Sequence, residues 1–284
     1  MCLLAFAYQS HAVYSFVLVS NRDEFLARPS APMHFWSDNQ VLAGQDLEAQ
    51  GTWMGITRTG KFSVVTNFRD GEKMRAEQNN ASPPKQSRGA LTRNFLTNDQ
   101  TAHAYLADVQ DQACDYRDFN LLIGDTEGIR YLSNRARQTQ KHEKTTALSA
   151  GVYGLSNHLL DTPWRKVAQL KQQLTKQLQK DQVTPDGLWP LLTDTRQNSD
   201  QEPLPSTGVP LALEQQLSAL FVRIPGYGTR TSTIVLQKHS GETEIWERTY
   251  VLPNDINQGF TSPDQFIEQR FDLMMPALGS ANKS

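Results

Sequence analysis

Residues 1–24, MCLLAFAYQSHAVYSFVLVSNRDE, decide how this chain is read. Two short apolar or aromatic runs, 2–8 and 13–20, flank a polar break at Gln9-Ser10-His11-Ala12, the pattern of a β-hairpin. Both runs are nearly continuous in hydrophobicity rather than alternating, so the sheet they enter has to be covered on both faces. No basic stretch precedes the first run, and it stops well short of a membrane span. The segment therefore reads as mature structure rather than leader or anchor.

Working outward, further strand pairs are expected at 52–57 with 61–67, 119–124 with 128–133, and 232–237 with 243–248, each joined by a short polar turn, and a short strand at 152–153. Hairpins outnumber βαβ units, so the sheets should be mostly antiparallel. Helical spacing marks 88–96 and 101–109. A third helix should begin at Thr162-Pro163, with Thr162 as cap and Pro163 in the first turn, carrying Val167, Leu170, Leu174 and Leu178 on one stripe. Segment 78–87 reads as a surface loop. The stretch near 181–210, rich in Gln, Asp, Pro and Thr, reads as an exposed excursion with one short helix around 188–192, and 279–284 as a frayed tail. The expectation is α+β in layers, as a single domain over 1–278.

Composition bounds function. In 284 residues, 28 Lys and Arg stand against 30 Asp and Glu, a net charge of −2, which argues against a nucleic-acid partner because phosphate neutralisation needs clustered excess cation. No stretch approaches the roughly 18 uninterrupted apolar residues of a spanning helix. Two cysteines, Cys2 and Cys114, exclude a disulfide scaffold and fit a reducing, cytoplasmic setting. The six histidines show neither HxH nor HExxH spacing, so no metal site is expected, and nothing specifies an oligomer.

Cys2 is the informative residue. If Met1 is removed, one residue carries both a thiol and a free α-amine, which titrates near ~8 and can take the thiol proton at neutral pH. The ordinary alternative is a buried core thiol at the start of a strand. The hairpin returns Asn21-Arg22-Asp23-Glu24 to the neighbourhood of Cys2, where Asp23 could hold the amine and Arg22 could favour the thiolate. Thr66-Asn67-Phe68 and Gly154-Leu155-Ser156-Asn157-His158 also end strands, and Asn amides at strand ends suit a developing oxyanion. Taken alone, each Asn reads first as a turn residue. Pro225–Thr231 (PGYGTRT) is a Gly-flanked loop whose Arg230 could hold a carboxylate, a phosphate or a structural Asp. Trp53 reads as core or pocket wall.

These residues resemble the NRDE family, also called the transport and Golgi organisation protein 2 homologues. The resemblance is carried by Met1-Cys2, 21–29 (NRDEFLARP), Gly51-Thr52-Trp53-Met54-Gly55, Thr66-Asn67, Gly154-Leu155-Ser156-Asn157, Thr162-Pro163-Trp164-Arg165-Lys166 and PGYGTRT. That family is in turn similar to the cysteine-type N-terminal nucleophile (Ntn) hydrolases. The resemblance implies a four-layer αββα sandwich and an amidohydrolase acting on C–N bonds of a small linear amide, or on a thioester, without metal or organic cofactor. It implies Cys2 as nucleophile and base, Asp23 as amine holder, Asn67 and Asn157 as oxyanion and positioning groups, and Arg230 as an active-site arginine. Asn21, Arg22, Trp53 and Phe68 are the expected substrate contacts. Bile salt hydrolases carry Arg immediately before Asn-x-Asp; this chain has Ser20 there and Arg22 between Asn21 and Asp23. The alternative implied by the family is a non-catalytic protein that binds or traffics haem, acyl-CoA or another hydrophobic ligand on the same fold. A plain protein scaffold has no sequence feature in its favour.

Overall fold

In the computed structural model, β1 (Cys2–Tyr8) and β2 (Tyr14–Phe25) form the expected antiparallel hairpin, with Cys2 opposite Arg22 and Tyr8 opposite Phe16. The structure describes residues 2–37, 40–73, 86–135, 146–180 and 182–283; Met1 and most of the 78–87 loop lie outside these. Among the described residues each of two sheets has seven strands. The first runs β10 (Gly151–Leu155), β1, β2, β12 (Tyr227–Lys238), β13 (Glu242–Tyr250), β14 (Phe266–Met274), with β11 (Arg223–Ile224) beside β12. The second runs in chain order, β3 (Ser30–Phe35), β4 (Val41–Asp46), β5 (Met54–Thr57), β6 (Phe62–Asn67), β7 (Phe119–Asp125), β8 (Gly128–Ser133) and β9 (Thr146–Ala147). Neighbouring strands in both are antiparallel.

Side chains alternate across a strand, and here both faces are apolar because both are covered. Leu4, Phe6, Phe16 and Leu18 point inward and meet Phe62, Val64 and Leu122 of the second sheet. Leu3, Ala5, Val17 and Val19 point outward and meet Val167, Leu170 and Leu174 of α3 (Arg165–Leu178). Across the molecule, Leu121 and Ile123 pack against Leu91 and Phe95 of α1 (Arg88–Thr97) and Leu106 of α2 (Ala102–Asp111). The result is an α+β, four-layer αββα sandwich. Full burial of each such Leu or Phe contributes about 1.5–3 kcal/mol. Ser87 and Thr101 cap the helices of the second outer layer through side-chain oxygens that accept from Gly89 N–H and Ala104 N–H.

Three local expectations change. The third helix begins at Arg165, with Trp164 as its cap, because the Thr162 hydroxyl is spent one turn earlier on the Leu159 carbonyl (2.7 Å) and on His158 Nδ1 (2.8 Å). The stretch after 181 is not wholly exposed: α4 (Pro185–Leu188) and a 3₁₀ turn (Trp189–Leu192) bury Leu188, Trp189, Leu191 and Leu192 in the outer layer over β1 and β2. Near the C-terminus, Gly279 N–H donates to the Asp125 carbonyl, tying that segment to the β7–β8 turn.

Candidate active site

The ends of β1, β2, β6 and β12 come together at one end of the sandwich, and a cavity of about 750 Å³ opens there. Cys2 lies on its wall, 5% exposed. Parity fixes its direction: Cys2 shares a face with Leu4 and Phe6, so its thiol points between the sheets, with Sγ 3.9 Å from the Val65 carbonyl oxygen. The Cys2 carbonyl accepts from Ser156 Oγ at 3.2 Å. Burial pushes the thiol above its usual range, Asp23 adds to this, and Arg22 opposes it.

The same alternation divides the four residues at the end of β2. Arg22 and Glu24 share the face of Leu18 and line the cavity. The Arg22 guanidinium carbon sits 3.9 Å from the centre of the Trp53 ring, and its nitrogens reach Ser30 Oγ at 3.5 Å and Glu24 at 3.9 Å. Burial raises the Glu24 carboxyl, but the surrounding positive charge, Arg22 and Arg28 included, and the Phe25 N–H hold it below the usual glutamate range. Asn21 and Asp23 share the face of Val19 and turn under the helical layer.

Asp23 is 2% exposed and accepts from Thr229 Oγ1 at 2.7 Å. Burial raises its carboxyl, while Lys166 and the Thr229 bond pull it back. Lys166, in the first turn of α3, is buried and donates to the Leu217 carbonyl at 2.9 Å. Burial lowers its ammonium to about 8 against the attraction of Asp23, Glu214 and Cys2. Glu214, on α5 (Leu211–Gln216), forms a buried ion pair with Arg69 at 3.0 Å. The floor behind Cys2 is thus a desolvated cluster of alternating charge, the setting in which protonation states are displaced from their solution values.

Of the residues singled out from sequence, Cys2, Arg22, Trp53, Asn67 and Phe68 line the cavity. Asp23 lies behind them. Asn157 is close by, but its amide donates to the Asn67 carbonyl at 2.9 Å, so it holds the chain that carries Asn67. Asn21 is not on the cavity wall: its amide donates to the Leu192 and Leu220 carbonyls (2.8 and 3.0 Å), anchoring the outer layer. Arg230 is also elsewhere. It is the extra residue in a β-bulge where Thr229 pairs Asp23 and Thr231 pairs Arg22. The bulge turns its guanidinium onto the carbonyls of Phe25, Leu26 and Arg28 at 2.9–3.2 Å. Glu24, Arg69, Lys166, Glu214 and Tyr227 were not singled out. Lys166 and Tyr227 sat inside the quoted TPWRK and PGYGTRT runs, and Arg69 directly follows Asn67-Phe68. Nothing local marked Glu214, in a short helix within polar sequence.

A layered αββα sandwich with a cysteine starting its first strand and a strand-end cavity around it is the class defined by fold and site. The chain belongs to the Transport and Golgi organisation 2 family, whose model matches residues 1–251. It is similar to the Homo sapiens Transport and Golgi organization protein 2 homolog, with 33% identity over 95% of this chain and 100% of that one. The Drosophila melanogaster Transport and Golgi organization protein 2 is 25% identical over 88% and 92%. Among solved structures it resembles a Caenorhabditis elegans ortholog of N-acylethanolamine-hydrolyzing acid amidase, with a TM-score of 0.48, 10% identity, and coverage of 83% of this chain and 92% of that one.

Proposed function

We propose that the chain, once Met1 is removed, is an N-terminal-nucleophile cysteine hydrolase that cleaves a small amide, or a related thioester, by acyl transfer through Cys2. The observation that carries this is the placement of Cys2 at the cavity wall, at the end of a strand paired to the one that bears Arg22, Asp23 and Glu24. The freed α-amine takes the thiol proton, and Asp23 holds the resulting ammonium. Sγ attacks the carbonyl carbon, and the π electron pair moves to oxygen, where Asn67 contributes a hydrogen bond. As the tetrahedral species collapses, the C–N bond breaks and the ammonium proton passes to the leaving nitrogen. Water then resolves the acyl enzyme with the amine as base. The test is turnover of acyl-amide and acyl-thioester panels by native protein and Cys2→Ala. Loss of turnover in the variant supports this reading, and full activity removes it.

A second reading draws on the apolar part of the wall, where Phe25, Leu213, Leu217, Ile224 and Pro225 face the cavity. On that reading the protein carries a hydrophobic or acylated ligand such as acyl-CoA without cleaving it. Haem in the same space would find Cys2 and Tyr227 as wall ligands, and no histidine among the described residues that line it. Tight binding without turnover, equal in native protein and Cys2→Ala, favours the carrier.

A further inference from the structure

The wall beside Cys2 contains buried donors that no group of the described protein uses. The Tyr227 hydroxyl has no hydrogen-bond partner among the described residues, and neither do Nε and Nη1 of Arg69. Arg69 is 4% exposed, and its Nη2 forms an ion pair with Glu214. Each such orphaned donor costs about 1–3 kcal/mol. Three of them, on two residues of one cavity wall beside a nucleophile, ask for a ligand atom to receive them.

Local structure explains their placement. Tyr227 opens β12 immediately after Gly226, whose φ of 77° makes the tight turn from β11, and its ring meets Phe25 edge-on at 5.2 Å. Burial, reinforced by the charges of Asp23 and Glu24, holds the phenol far above its usual range, so it stays a protonated donor. Arg69 follows the end of β6, with its guanidinium over the Trp164 ring at 5.1 Å and fixed by Glu214. Asn157, the other amide at this end of the sandwich, is occupied by the Asn67 carbonyl.

We propose that Tyr227 and Arg69, beside Asn67, donate further hydrogen bonds that receive the substrate carbonyl oxygen as it becomes an oxyanion on attack by Cys2. The assignment rests on Cys2 being the nucleophile. In this step the Sγ–C bond forms, the carbonyl π pair becomes the oxyanion lone pair, and no proton leaves Tyr227 or Arg69. Both donors are shielded from water in the resting chain, so the contacts tighten only with substrate in place, in surroundings where a fixed donor is worth most.

The experiment compares two reactions of the same thiol in full-length protein. Acylation by p-nitrophenyl acetate passes through an oxyanion; alkylation by iodoacetamide does not. Tyr227→Phe is expected to slow acylation roughly 10²–10³-fold while leaving alkylation unchanged. Arg69→Lys, which keeps a cation opposite Glu214 but has no counterpart of Nε and Nη1, is expected to show the same selective loss. Acylation at the native rate in both variants, or a parallel fall of acylation and alkylation, overturns the assignment. If Cys2→Ala abolishes acylation while the two variants do not alter it, this inference alone fails. Absence of acylation at Cys2 in native protein overturns the hydrolase reading and this inference together.

Discussion

Arg22 sits over the Trp53 ring, its guanidinium carbon 3.9 Å from the ring centre, and both line the cavity that holds Cys2. The stack fixes a cation beside the thiol with little rotamer freedom, and a partly desolvated pair of this kind contributes about 0.5–2 kcal/mol. Trp53 can reach this position because residue 44, on β4, has no side chain. A Cβ built at Gly44 would overlap the far edge of the indole.

Gly44→Ala is therefore expected to destabilise the fold by about 1–3 kcal/mol through overpacking, and to displace the indole under Arg22. Urea denaturation gives the first quantity, and Trp fluorescence of the folded variant reports the second. Stability equal to native protein with an unchanged spectrum would mean that the close approach of Gly44 and Trp53 is not a constraint.

Arg230 separates two expectations. Its guanidinium ties together the Phe25, Leu26 and Arg28 carbonyls that carry the chain away from β2. Arg230→Ala removes this donor from the Leu26 and Arg28 carbonyls, while the Phe25 carbonyl keeps Arg28 N–H, and should cost about 2–4 kcal/mol of stability. A variant of native stability that had lost turnover would instead make Arg230 a substrate contact.

Much of this was legible, and the failures have specific causes. The β1–β2 hairpin, the strand pairs around 52–67 and 119–133, and the last hairpin were readable because their strands are buried on both faces or, in β13, alternate with a period of two, and turn residues separate them. β3, β4 and β14 were not. β14 is an edge strand with exposed Ile267 and Met274, so its pattern reflects no single buried face. Asn21 and Asp23 are one step of alternation away from Arg22 and Glu24, and a strict period of two from Cys2 and Leu18 already sends Asn21 away from the cavity. The bulge that diverts Arg230 has no such signal. It depends on register between strands more than 200 positions apart in the chain, which local sequence does not encode.

Glu247 makes stability depend on pH. It is 1% exposed, accepts from Met33 N–H at 2.6 Å, and burial pushes its carboxyl up to about 7. A carboxyl raised in the folded state binds its proton more tightly there than in the unfolded chain. The stability it contributes is complete below the ordinary value near ~4.3 and is lost as pH rises through about 7. Glu247→Gln keeps an acceptor for Met33 without the charge. Relative to native protein it should gain roughly 3 kcal/mol between about pH 5 and about pH 8.5. Urea melts at the two pH values measure the difference; a gap that does not change with pH would contradict the account of this carboxyl.

The central claim concerns one residue at the head of the first strand, and intact-mass spectrometry of the purified full-length chain before and after a short exposure to p-nitrophenyl acetate tests it most directly. The account predicts a chain that has lost Met1 and then gains one acetyl group, localised to Cys2 by peptide mapping and absent in Cys2→Ala. A chain that keeps Met1, or an acetyl group found only at other residues, would contradict it.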